Sequence, residues 1–241
     1  MTDRIICGLA ILLLTLAPNL AAQRPDSVNT EQEANRASRT IDNVFNYLNM
    51  AGTTKASEFE PLTQRERTRI YLHIMINPLG YLKAASSAGL DQWGKKPKEW
   101  EQGASGYGKR FANILGQYSI QRTVTFGLSS ALREDNRYFN SGKKGIWSRT
   151  GYAMASGILA RRNDGTRHLS ISQLGGVAAG AFLSRSWQPP SQRSAGDGAV
   201  SFGLTMASNM VFGVVKEFLP DLGRAITKKH QIETKVGKPS D

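Results

Sequence analysis

Cysteine is almost missing from this chain of 241 residues: the one present is Cys7. It lies inside an apolar run at the N-terminus, so a mature chain without that run has no thiol. Such a chain makes no disulfide and offers no cysteine ligand or nucleophile, and its fold must hold by packing. Histidine is scarce too. His73, His168 and His230 lie far apart, and none has a second His or a Cys at ligand spacing, which argues against a zinc site. No G-x-S-x-G occurs, and no glycine-rich phosphate loop stands between a strand and a helix. Gly103-Ala104-Ser105-Gly106-Tyr107-Gly108 is rich in glycine but lacks the lysine and the spacing of a P-loop. Ser148-Arg149 matches only the start of the lipid-phosphatase S-R-x5-H pattern, because Ala155 stands where the histidine belongs. No catalytic residue, cofactor or metal is expected.

Acidic residues are also few. Asp and Glu number 19 against 31 Lys and Arg, a net charge of +12. A cation of that size seeks anionic surfaces such as acidic lipid headgroups, lipopolysaccharide or nucleic acid. The N-terminus narrows the choice. Met1 to Arg4 is short and polar, Ile5 to Ala17 carries no charge, and Pro18 to Ala22 ends in small residues. That order is the pattern of a secretory signal peptide over 1–22, too short to span a bilayer as a permanent anchor. An exported chain, in the periplasm or at the outer envelope, meets no nucleic acid.

What remains reads as mainly α, a single domain of six to seven helices with small-residue contacts and one short β-hairpin near 158–171. Residues 23–61 read as a polar linker with a peripheral helix, 62–222 as the helical domain and 223–241 as a basic flexible tail. Capping boxes stand at Thr30-Glu31-Gln32-Glu33, Thr63-Gln64-Arg65-Glu66 and Ser170-Ile171-Ser172-Gln173. Asn77-Pro78 starts a helix. Ser105 to Phe139 is the stretch around which the chain is organised. Within it Phe111, Leu115, Tyr118, Thr125, Ser129 and Leu132 share one helical face. Asn163-Asp164-Gly165 marks the hairpin turn. Asp197 is expected to cap the last long helix and Pro220 to end it. In that helix Val200, Leu204, Ala207, Val211, Val214 and Phe218 alternate three- and four-residue steps, and the other face is apolar too, which predicts a central, buried helix. Gly198 to Val215 is uncharged but only weakly hydrophobic, and a buried helix is preferred over a membrane span.

The candidate polar residues are Arg122, Arg133, Glu134, Asp135, Arg137, Arg149 and Glu217. Carboxylates beside guanidiniums can orient a polar ligand, or act as acid and base if their pKa values are split. The structural alternative is a set of internal ion pairs, with Arg122 on its apolar face paired to Glu217. Trp93, Trp100, Trp147 and Trp187 lie in or near loops, where they pack or sit at a lipid rim.

Four segments resemble a family of exported bacterial proteins without an assigned activity: 103–111 (GASGYGKRF), 134–139 (EDNRYF), 147–153 (WSRTGYA) and 216–221 (KEFLPD). Asn136 stands where that family has proline. The resemblance implies a single exported domain and nothing about chemistry. The sequence therefore favours a non-enzymatic envelope protein that binds an anionic envelope component or a partner protein, with peripheral membrane contact. An envelope hydrolase using the carboxylate and arginine cluster is the alternative. An outer-membrane barrel, suggested by period-two traces such as Tyr118, Ile120, Val124, Phe126 and Leu128, is a further one.

Overall fold

The computed structural model describes residues 53–55 and 59–236, and the chain is mainly helical there. The expected leader and the helix near Thr30 lie outside the described residues. Six helices follow in order: α1 Gln64–Ile76, α2 Pro78–Trp93, α3 Gly103–Leu132, α4 Ile146–Ala155, α5 Ile171–Leu183 and α6 Ala195–Val236. Four three-residue strands accompany them. β1 (Thr53–Lys55) pairs in parallel with β2 (Tyr138–Asn140); β3 (Leu159–Arg161) and β4 (Arg167–Leu169) form the antiparallel hairpin around Asn163-Asp164-Gly165. A barrel strand needs about 9–11 residues, so the period-two trace inside α3 does not mark one.

The caps explain the boundaries. Thr63 and Glu66 satisfy each other's backbone N–H in a complete capping box at α1. At α5 the Ser170 hydroxyl accepts from the Gln173 N–H, but the Gln173 amide turns away to the Gly157 carbonyl. Helix α6 starts earlier than expected: Ser194 is the cap, and Asp197 returns a hydrogen bond to it from the third position. Nor does Pro220 end α6, which continues to Val236, so the tail expected from 223 is helical to that point. Proline removes one N–H from the ladder; beside that gap the Glu217 carbonyl gains a bond from Arg149 Nη2 at 2.7 Å.

Helix α3 is the hub, packing against α1, α2 and α5. Tyr71 of α1 stacks on Phe126 at 4.5 Å between centroids, and Tyr107 donates to the Ala85 carbonyl of α2. Of the expected apolar face of α3, Ser129 is buried, whereas Leu132 is exposed. The closest packing runs through glycine. A Cβ on Gly176 of α5 would lie 2.0 Å from Thr125 Oγ1 and 2.6 Å from the Gln121 carbonyl of α3. Likewise Gly213 of α6 sits where a Cβ would come within 2.5 Å of the Ala153 carbonyl of α4. The buried apolar set is correspondingly small-bodied: Ala84, Ala88, Ala153, Ala160, Ala181 and Val177, with Met206, Tyr138 and Phe139.

Helix α6 is not the buried helix that its apolar faces suggested. Its segment Ala195–Phe218 is long and apolar enough to cross a membrane by length and composition, with a mean hydropathy of 1.5, yet only 17% of it is buried. Met206, Gly213 and Glu217 form its inner face, and Val200, Leu204 and Val211 of the expected seam are exposed.

Candidate functional site

Helix α3 ends at Arg133, whose left-handed backbone (φ 54°, ψ 36°) turns the chain sharply while its own side chain stays exposed. That turn sends Glu134 and Asp135 inward, and the grouped polar residues then separate into distinct networks.

Glu134 is 1% exposed and sits at the N-terminus of α5. Its carboxylate accepts from the N–H of Ser172 (2.8 Å) and of Ile171 (3.1 Å), from the hydroxyls of Ser172 (2.5 Å) and Ser170 (3.2 Å), and from His168 Nε2 (3.0 Å). Burial pushes its pKa up, but the Ser172 hydroxyl and N–H, with His168 and the Ile171 N–H, outweigh burial and hold the carboxyl below its ordinary value. The free N–H groups of a helix start suit an anion. Asn136 completes the network: its amide donates to the Ser172 hydroxyl and accepts from that of Ser170, both at 2.7 Å. Although Ser, His and Glu meet here, the hydroxyls bond to the carboxylate and the amide rather than to the imidazole. Among the described residues no hydroxyl bonds to His168, as a nucleophile would require.

Asp135 belongs to the hairpin. Its backbone bridges that of Arg161, and its carboxylate takes the Arg137 guanidinium through Nε and Nη2. Arg137 and Arg161 both lie over the Phe139 ring.

Glu217 is 2% exposed and lies between α6 and β2. It accepts from the Tyr138 hydroxyl (2.7 Å), the Ser141 hydroxyl (2.5 Å) and N–H (3.1 Å), and Arg149 Nε (3.0 Å). Burial raises its pKa, and the bonds from Ser141, Tyr138 and Arg149 more than reverse that. Burial and the Glu217 bond hold the Tyr138 hydroxyl far above its ordinary value. Arg149 also reaches Asp221 at 2.5 Å and covers the Phe218 ring. The expected Arg122–Glu217 pair therefore does not form. Ser141-Gly142-Lys143-Lys144 has the S-x-x-K spacing, but its hydroxyl faces Glu217 and Lys144 is exposed, so no base stands on it.

Arg122 is apart from all three networks. It lies over Tyr118, and its Nε is buried with no hydrogen-bond partner. Its charged neighbours are Lys83 of α2 and Lys216 of α6.

Arg110 was not singled out by its sequence context, yet it is fully buried. It donates to the carbonyls of Lys96, Pro97 and Glu101 and to the Gln92 amide oxygen. These bonds hold a loop in which Lys95 and Glu101, neither a glycine, take positive φ. The glycine-rich start of α3 serves this loop, because a Cβ on Gly106 would lie 2.4 Å from the Trp100 carbonyl.

A crevice lined by Met75, Gly80, Tyr81, Leu115, Tyr118 and Ser119 holds no carboxylate, and a narrow cleft at the hairpin holds Asp135 already bound to Arg137. Among the described residues no group of three His, Cys, Asp or Glu is placed to hold a metal ion. No protein family, no characterised protein and no solved structure matches the chain.

Proposed function

We propose that this protein is a non-enzymatic component of the bacterial envelope that binds an anionic lipid surface. One observation carries the reading: the usual placement of residues is inverted. Glu134, Asp135, Glu217 and Arg110 lie inside with their hydrogen bonds made, while Trp147 is 88%, Trp93 80%, Ile76 71% and Ile146 68% exposed. Large exposed apolar side chains in number mark an interaction surface. Here they stand beside cations. Trp93 precedes Lys95, Lys96 and Lys98, and Ile146-Trp147 follows Lys143-Lys144. Tryptophan with neighbouring lysine suits the headgroup layer, where the ring meets the acyl boundary and the ammonium meets phosphate. The net charge of +12 adds long-range attraction to an acidic membrane. The carboxylates are spent on helix starts and ion pairs, which argues against the hydrolase alternative.

Co-sedimentation with vesicles tests this. The protein should pellet with phosphatidylglycerol-containing vesicles, release at high salt, and ignore pure phosphatidylcholine. The double variant Trp93→Ala/Trp147→Ala should bind several-fold more weakly with unchanged circular dichroism. A folded protein that ignores acidic vesicles at low salt would refute the proposal. Pairing through the exposed Val200, Leu204 and Val211, whose four- and seven-residue steps suit a partner helix, is the second reading. It predicts a concentration-dependent dimer in analytical ultracentrifugation without lipid.

A further inference from the structure

We propose that Arg161 and Arg167, paired across the β3–β4 hairpin, bind a phosphate monoester group at the narrow cleft on the hairpin's outer face, with Arg137 beside them. The site stands on its own contacts and does not rest on the membrane-binding reading above.

The alternation of the hairpin builds the site. Ala160 and His168 pair in register and point inward: Ala160 is buried, and His168 meets Glu134. The next pair, Arg161 and Arg167, is therefore turned to the opposite face. Residues directly opposite in an antiparallel pair have Cβ atoms about 4.5–5.5 Å apart, so the two arginines stand side by side. On its other edge Arg161 exchanges backbone hydrogen bonds of 2.8 and 3.0 Å with Asp135, which sets the Asp135 side chain on the same face. Asp135 in turn holds Arg137. All four line one cleft, together with Phe139, Tyr152 and Ser156. Rings brace the guanidiniums. Those of Arg161 and Arg137 lie 4.6 and 5.4 Å from the Phe139 centroid, and that of Arg167 lies 4.3 Å from the Tyr152 centroid. The Ser156 hydroxyl donates to the Tyr152 carbonyl and accepts from Arg167 Nη2 at 3.2 Å, which fixes the direction of that side chain.

Like charges directly opposite each other destabilise a strand pair, whereas opposite charges stabilise it. No acid answers this pair. Asp135 is the one carboxylate lining the cleft, and both its oxygens are taken by Arg137 through Nε, Nη2 and the backbone N–H. Arg161 Nε is buried without a hydrogen-bond partner, and among the described residues neither of its terminal nitrogens donates to an acceptor. Arg67 also has one unpartnered nitrogen, but its Nη1 donates to the Ser129 and Glu134 carbonyls. The Arg161 fork is thus left for an acceptor from outside.

Three guanidiniums against one carboxylate leave the cleft at +2. A phosphate monoester carries about −1.5 to −2 at pH 7 and three terminal oxygens, which matches that charge; a carboxylate supplies one charge and two oxygens. Guanidinium forks suit phosphate oxygens in geometry as well. Because the cleft is narrow, the phosphate meets it end-on, at the mouth, and whatever carries the phosphate stays outside.

Thermal unfolding of the full chain in phosphate-free buffer, with sodium phosphate or sodium acetate added at matched ionic strength, tests the site. Tm should rise with phosphate concentration and not with acetate. The affinity read from that rise should fall about tenfold in Arg161→Gln and in Arg167→Gln, each losing one guanidinium–oxyanion contact. Arg162→Gln makes the same charge change at an exposed neighbour outside the cleft and should respond as wild type. Arg167 is exposed, so its variant reports on the site even if Arg161→Gln, which gives up its ring contacts, unfolds. The site is refuted if phosphate acts equally on wild type and Arg167→Gln, if Arg162→Gln loses as much, or if acetate matches phosphate. Co-sedimentation separates the sources of the phosphate. A wild-type preference for phosphatidic acid over phosphatidylglycerol vesicles that Arg167→Gln lacks supports a lipid headgroup. A phosphate response without that preference supports a soluble phosphate, and both keep the site. A phosphate response confined to proteins with the intact cleft, without any vesicle binding, removes the membrane reading and keeps the site. Vesicle binding with no phosphate response in any protein does the reverse.

Discussion

Replacing Glu134 by glutamine keeps the side-chain volume and removes one charge at the point where α5 begins. Five donors converge on the carboxylate: the Ser172 and Ile171 N–H groups, the Ser172 and Ser170 hydroxyls, and His168 Nε2. An amide offers one oxygen in place of two and turns an NH2 toward groups that are themselves donors. Hydrogen bonds to a charged group contribute about 1.5–3 kcal/mol each and those to a neutral group about 0.5–1.5 kcal/mol. The helix start adds about 0.3–2 kcal/mol for the anion. These terms are not independent, and disrupting one buried ionic network generally costs about 3–5 kcal/mol. Glu134→Gln should therefore lose about 3 kcal/mol. Urea unfolding at pH 7, followed by far-ultraviolet circular dichroism, measures it as a lower midpoint at constant slope. The difference must also depend on pH in one direction. Because the folded carboxyl titrates below its ordinary 4.5, the charge stabilises the fold above that value, and the contribution fades as pH falls through the lowered folded pKa. The glutamine variant does not titrate, so the gap should close in acid. A loss under about 0.5 kcal/mol at pH 7, or a gap unchanged at pH 3, would show that the carboxylate is not what anchors α5.

Three further outcomes follow from the same contacts. Arg149→Ala strands the Glu217 carboxylate in the interior and should cost about 3–5 kcal/mol in urea unfolding, whereas an exposed pair would give about 0–1 kcal/mol. Gly176→Ala should cost about 1–3 kcal/mol, because the new Cβ meets Thr125 and the Gln121 carbonyl. Gly127→Ala, at an exposed position of α3 with open space around it, should gain about 1 kcal/mol by helix propensity, and opposite signs in thermal melts are the check. Stability should rise between about pH 8 and 9.5. Burial pushes the Lys216 ammonium down to about 8 in the folded chain from 10.5, so the unfolded chain binds more protons across that window. Flat stability there would contradict that burial.

How much of this was legible in the sequence follows from how far each signal reaches. The Thr63–Glu66 box and the Asn163-Asp164-Gly165 turn were legible because each is closed within four residues. Cap readings at α6 missed by three positions because Ser194 and Asp197 are both capping residues and only the backbone decides which leads. Pro220 marked no end, since a long packed helix tolerates one lost backbone bond. The polar cluster was recognised as a set of residues, and its separation into networks was not. Glu134 and Asp135 adjoin in sequence but serve different elements after the left-handed turn at Arg133.

The Arg122–Glu217 misreading has a sharper lesson. One residue on a helix is a rotation of about 100°. Glu217 therefore turns toward Arg149, and Lys216 toward a different side of α6. Which of the two lies inside depends on which side of α6 packs inward, and hydrophobicity chose the wrong side. The Val200, Leu204 and Val211 seam is the more apolar stripe, yet Met206, Gly213 and Glu217 are buried. Gly213 permits a backbone approach to Ala153 that no larger residue allows, and Gly176 does the same for α3 and α5. Close contact between small residues, with buried polar groups fully bonded, sets the inner face, and the large apolar side chains are left for the outside.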